Sequence, residues 1–151
     1  MTRTVLLARP HPFIVSEMKP FLESSGFKVS TPNDLSALSQ QETGASGAII
    51  SLALVSTISE SANVVFVALR NRHPKLPVVF AGLVDFTAML TTLERMGEAA
   101  GFNPVLLGAD TKHVDHPSLG MERTFLYLSK ADLTEPTRRA TAGKLIERHF
   151  K

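Results

Sequence analysis

With 151 residues, 44% of them hydrophobic and 20% charged, the chain has the size and balance of one globular domain, and no second domain is expected. A formal charge of +2, with no basic run and no basic–aromatic interleaving, argues against nucleic-acid binding, and the absence of cysteine excludes disulfides, thiolate zinc sites and thiol catalysis. The opening run Val5-Leu6-Leu7-Ala8 is too short for a signal-peptide core and no segment approaches the length of a membrane span, so a cytoplasmic protein without membrane association is expected.

Short apolar runs rich in Val, Ile and Leu alternate with stretches of helical period, the pattern of parallel strands buried on both faces and joined by helices. The first predicted strand covers residues 4–8. A helix follows with Ile14, Met18, Phe21 and Leu22 on one face; Pro20 inside it is expected to kink it or move its start, and Gly26 to end it before a strand at 27–30. Gly44-Ala45-Ser46-Gly47 precedes the third predicted strand, 48–54, rather than following one, so it reads as a turn and not as a phosphate cradle. Ser59 is the expected cap of a helix carrying Ala62, Val65, Phe66 and Leu69 on its inner face and ending before Pro74. After a strand at 78–81, Asp85 is expected to cap a helix striped with Phe86, Met89, Leu90 and Leu93 and stopped by Gly101. An extra strand candidate at 104–107, a polar loop at 109–123 and a strand at 124–128 lead to a last helix starting near Thr134 and Pro136, which buries Ala142, Leu145, Ile146 and Phe150.

Four stretches stand in a recognisable order: Val5-Leu6-Leu7-Ala8-Arg9-Pro10-His11-Pro12, Ile50-Ser51-Leu52-Ala53-Leu54, Leu69 through Phe80, and Tyr127-Leu128-Ser129-Lys130. Together they resemble the receiver domains of two-component response regulators, over about residues 4–83 and 124–150. The resemblance implies one receiver-like domain over residues 1–151, an α/β, flavodoxin-like, doubly wound parallel sheet of five strands. An insertion at about 84–123, roughly twice the family's usual connection, has room for an added strand and is expected to rebuild a partner-binding face.

Receiver chemistry needs a magnesium ion held by clustered carboxylates, since a hard cation takes oxygen ligands and offsets charge on the incoming phosphoryl group. The family's acidic pair matches Arg9 and Pro10 here, its phosphoacceptor aspartate matches Ser51, its switch Thr or Ser matches Gly82, and only its lysine is kept, as Lys130. The resemblance therefore implies a degenerate pocket with no catalytic residue, no metal and no cofactor. It implies a phosphorylation-independent module that acts by binding a protein partner or itself in a bacterial two-component or related pathway. A homodimer through the inserted segment is one form of this, because an apolar edge strand Val105-Leu106-Leu107 would need cover.

Other readings stand beside it. Arg9 and Lys130 could draw an anion or nucleotide phosphate into the emptied pocket, giving a small-molecule sensor. Arg9 is equally an exposed loop arginine or a salt-bridge partner in that pocket, and Lys130 equally a surface lysine or a partner for Ser51. An enzyme using Ser51 as nucleophile and His11 as base lacks a Gly-x-Ser-x-Gly elbow, and strand-end serines usually bond the backbone. His113, Asp115 and His116 have zinc-binding side chains but match no strong spacing, so a solvated loop is expected there.

Overall fold

The structure, a computed structural model, describes residues 3–9, 12–30, 45–52, 65–67, 70–71, 76–121 and 123–150. In chain order these form β1 (Arg3–Arg9), α1 (Pro12–Ser24), β2 (Phe27–Ser30), β3 (Ala45–Ser51), a helical segment within 65–71, β4 (Val78–Gly82), α2 (Phe86–Ala99), β5 (Val105–Leu107), a 3-10 turn (Thr111–His113), β6 (Thr124–Ser129), α3 (Lys130–Thr134) and α4 (Pro136–His149). The six strands make one sheet in the order β2-β1-β3-β4-β6-β5, and every pairing is parallel. Among the described residues the sheet thus has six strands: the five expected and one from the inserted segment, β5, which joins at the edge beyond β6.

Both faces are covered, which is why the interior strands β4 and β6 are buried along their whole length, whereas the edge strand β2 leaves Lys28 exposed. Successive residues point to opposite sides: Val5, Leu7, Val79, Leu126 and Leu128 pack with Met18, Phe21 and Leu22 of α1, Leu133 of α3, and Leu145 and Ile146 of α4. Leu6, Ile50, Phe80, Phe125 and Tyr127 face the other way, against Val65, Phe66, and Leu93 and Met96 of α2. On that second face Phe66, Phe80 and Phe125 meet with centroids 4.8 to 5.7 Å apart, mostly edge to face, and such pairs add roughly 1 kcal/mol each beyond area burial.

Helix α1 neither starts nor stops at Pro20; it runs through it to Ser24, with Pro20 exposed, and its start is Pro12. Gly26 and Gly101 both adopt positive φ, near 90°, and end α1 and α2 as their positions imply. The expected turn at Ala45-Ser46-Gly47 is instead the opening of β3, which pairs Thr4 with Ala45 and Val5 with Gly47. A glycine suits that strand because the Phe150 ring lies against its backbone: a Cβ at 47 would sit 2.1 Å from the ring carbon Cδ1. The same three-residue displacement ends β3 at Ser51, short of the expected 54. Of the helix expected around Ala62 to Leu69, Val65 and Phe66 are helical and buried, while Ser59, Ala62, Leu69 and Pro74 lie outside the described residues.

The segment 109–123 is more than a solvated loop. Val114 and Leu119 pack on the first core face, and Thr124 donates its hydroxyl to the Ser118 carbonyl at 2.6 Å. Arg148 of α4 holds Asp115 at 2.6 Å. His149, fully buried, lies with Nε2 3.0 Å from the Val78 carbonyl, and its Nδ1 accepts the Gly120 N–H at 3.0 Å. That pair of contacts requires the Nε2–H tautomer, in which one nitrogen donates and the other accepts. A residue on α4 therefore ties the start of β4 to the far end of the inserted segment. Among the described residues, no helix is long and apolar enough to cross a membrane.

Candidate functional site

Parallel sheets wound on both faces present their carboxyl ends as the place where ligands enter, because the loops there part to opposite sides. Arg9, Ser51 and Gly82 are the last residues of β1, β3 and β4, and Lys130 follows β6 directly. Register aligns them: Arg9 pairs with Ile50, Ser51 with Ala81, and Gly82 with Ser129. Ser51 is 1% exposed, whereas Lys130 is exposed at the first position of α3. The side chain of Arg9, and all of Pro10 and His11, lie outside the described residues.

Gly82 has a steric reason to be glycine. A Cβ there would stand 2.6 Å from Oη of Tyr127, which is fully buried on β6, stacks on Phe86 of α2 with centroids 6.2 Å apart, and donates its hydroxyl to the Val84 carbonyl at 2.5 Å. Burial first, then the carboxylates of Asp132 and Asp85, push this phenol above its ordinary pKa of 10.0, so it remains a donor. Gly82→Ala is expected to cost about 1–3 kcal/mol through this clash. In a Tyr127→Phe background the penalty shrinks, so a double-mutant cycle by urea unfolding reads the coupling directly.

A second feature at the same end of the sheet is absent from the sequence reading. Asp132, 3% exposed, accepts the Ser129 N–H at 2.7 Å and the Ser129 hydroxyl at 3.0 Å, while the Ser129 oxygen accepts from the Asp132 N–H, a reciprocal cap on α3. Arg138 of α4 closes on the same carboxylate, with Nε at 2.9 Å and a terminal nitrogen at 2.8 Å from one oxygen. Asp85 stands at the N-cap of α2 without bonding its backbone; its carboxylate lies 3.7 Å from Arg138 instead. The Ser129-x-x-Asp132 spacing was the available signal for the cap, but nothing local announces Arg138.

His113 and His116 do not converge on a common point with Asp115. His113 Nδ1 lies 3.2 Å from the Gly108 carbonyl, His116 Nδ1 accepts the Ser118 N–H, and Asp115 is engaged by Arg148. Among the described residues no three or more His, Cys, Asp or Glu side chains gather closely enough to hold a metal ion. No family model matches the chain, and searches of curated proteins and of solved structures find no match either.

Proposed function

We propose that this domain is a receiver-like, flavodoxin-like module that works through protein–protein contact and without phosphorylation. The observation that carries the reading is chemical: Arg9, Ser51, Gly82 and Lys130 end or follow β1, β3, β4 and β6, and none is a carboxylate. Arg9, Pro10 and Ser51, which match the family's carboxylate positions, offer a magnesium ion no carboxylate there, and Ser51 has a hydroxyl in place of an acyl-phosphate acceptor. The sheet order β2-β1-β3-β4 followed by β6 suits this fold, with β6 taking the fifth place and β5 extending the sheet.

The Tyr127–Gly82 packing suits a module held in one conformation. Nothing at residue 82 can answer a phosphoryl group, and the phenol that fills the space is anchored to Val84. Signalling then rests on the surface of a fixed domain, and the bacterial two-component setting, a protein partner or a second copy are the contexts this reading favours.

Amide NMR of the full chain, titrated with magnesium and then with beryllofluoride, tests it. The expected result is that signals of Ser51, Gly82 and Lys130 stay in place at every concentration. Saturable shifts at those residues would mean a working phosphoryl site and would overturn the reading.

A further inference from the structure

The out-of-order strand creates a second place where the chain parts at the carboxyl edge of the sheet. From β4 the chain enters α2, which packs on the face holding Phe80 and Tyr127; from β6 it enters α3 and α4, which pack on the face holding Leu126 and Leu128. Because β6 is inserted between β4 and β5, these opposite departures occur side by side. A crevice must open between them, by the same topology that places ligands in doubly wound sheets.

A cavity of about 460 Å³ lies there, within the size range of small-molecule sites. Its walls come from three separate connections: Asp85 and Phe86 after β4, Gly108 to Asp110 after β5, and Asp132 and Arg138 after β6. The lining is of mixed sign. Arg138 stands between the buried Asp132 and the exposed Asp85, and on the 3-10 turn the Lys112 ammonium lies 3.9 Å from Asp110, whose carboxylate also accepts the Lys112 N–H at 3.0 Å. Phe86 supplies an apolar wall, admitted because residue 108 is glycine; a Cβ there would meet the Phe86 ring at 2.7 Å.

We infer that this crevice is a binding site for a small zwitterion bearing an ammonium and a carboxylate group, the chemistry of a free amino acid. These charges are already paired within the protein, Arg138 with Asp132 and Asp85 and Lys112 with Asp110, so an ion of one sign meets like charge in each pair, whereas a ligand with both signs has a counterpart in each. The ammonium group takes Asp85, whose side chain is 73% exposed, and adds to Asp110, 48% exposed, beside the bond its carboxylate already accepts from the Lys112 N–H. The carboxylate takes the guanidinium of Arg138, whose side chain is 43% exposed, beside the bonds it already makes to Asp132. An apolar side chain on the ligand rests against Phe86. The site is distinct from the edge formed by Arg9 and Ser51, and its occupancy does not depend on whether the domain is receiver-like.

The test is an amide NMR titration of the full chain with each common amino acid at up to roughly 10 mM, where a site of millimolar affinity saturates. Acetate, methylammonium and inorganic phosphate serve as single-charge probes. At least one amino acid is expected to shift the amides of Thr87, Gly108 and Asp110 saturably, and its N-acetyl and methyl-ester derivatives to bind at least about tenfold more weakly. Asp110→Asn, on an exposed side chain, should weaken binding by a similar factor with an unchanged unfolding midpoint. No shift with any amino acid overturns the inference, as does equal binding of the blocked derivatives. Shifts produced by phosphate or methylammonium alone would make this a single-charge site and overturn it as well.

Discussion

Replacing Asp132 with alanine is expected to remove about 3 kcal/mol of stability, among the largest losses available to a single side chain in this fold. The carboxylate is 3% exposed and accepts four contacts: the Ser129 N–H, the Ser129 hydroxyl, and two nitrogens of Arg138. Alanine leaves the Ser129 N–H at the end of the interior strand β6 without its acceptor, strips the cap from α3, and frees a guanidinium that had been holding α4 against α3. Arg138→Met is expected to cost less, about 1–2 kcal/mol, because the arginine side chain is 43% exposed and water reaches the position it vacates. Asp132→Asn keeps an acceptor for Ser129 but turns a donor toward Arg138 or Ser129, and should fall between the two. Urea unfolding of the three variants at neutral pH gives the ranking. A loss below about 1 kcal/mol in the alanine variant would mean that the contact is solvated and adds little.

Most strands were legible from their apolar runs, a property that follows from burial on both faces, whereas the edge strand β2, Phe27-Lys28-Val29-Ser30, is only half apolar and was marked mainly by the Gly26 before it. Their neighbours were not. Val105-Leu106-Leu107 is the edge strand it was expected to be, but nothing in it names β6 as its partner, since the deciding contacts belong to whole strands distant in the chain. Strand ends slipped for a related reason: Gly44 to Gly47 has turn composition, but Phe150, more than a hundred residues later, packs its ring on Gly47 and makes glycine a strand residue. The segment 109–123 read as polar because its charged and small residues outnumber Val114 and Leu119, while its anchors, His149 and Arg148, lie on another element.

The same distinction separates the two candidate sites. Arg9, Ser51, Gly82 and Lys130 came from matching strand ends to a familiar pattern, which works on sequence order alone. The crevice at Asp85, Asp110 and Arg138 gathers residues from three connections that only the insertion of β6 between β4 and β5 brings together. Asp85 illustrates the limit of local rules: its position before α2 is that of a cap, yet its carboxylate is drawn toward Arg138, some fifty residues further on.

His149 makes the domain acid-sensitive in a defined window. Burial lowers its pKa from 6.5 to about 4, only partly opposed by the bond to the Val78 carbonyl. Because the folded value is depressed, the unfolded chain binds the proton first as pH falls, so stability from this group is whole above 6.5 and drains away between 6.5 and about 4. The full loss over that span is about 3 kcal/mol. Geometry gives the reason: a protonated Nδ1 would face the Gly120 N–H donor to donor, so charging the ring breaks the link between α4 and the inserted segment. His149→Phe fills similar space but leaves the Val78 carbonyl and the Gly120 N–H without their partner, and should cost about 2–4 kcal/mol near neutral pH. Its penalty should shrink as pH falls, since the wild type loses in acid what the variant never had. Urea midpoints of both proteins across this window decide the matter: parallel curves would show that His149 is not the group that titrates, and converging curves that its buried, neutral ring holds the segment down.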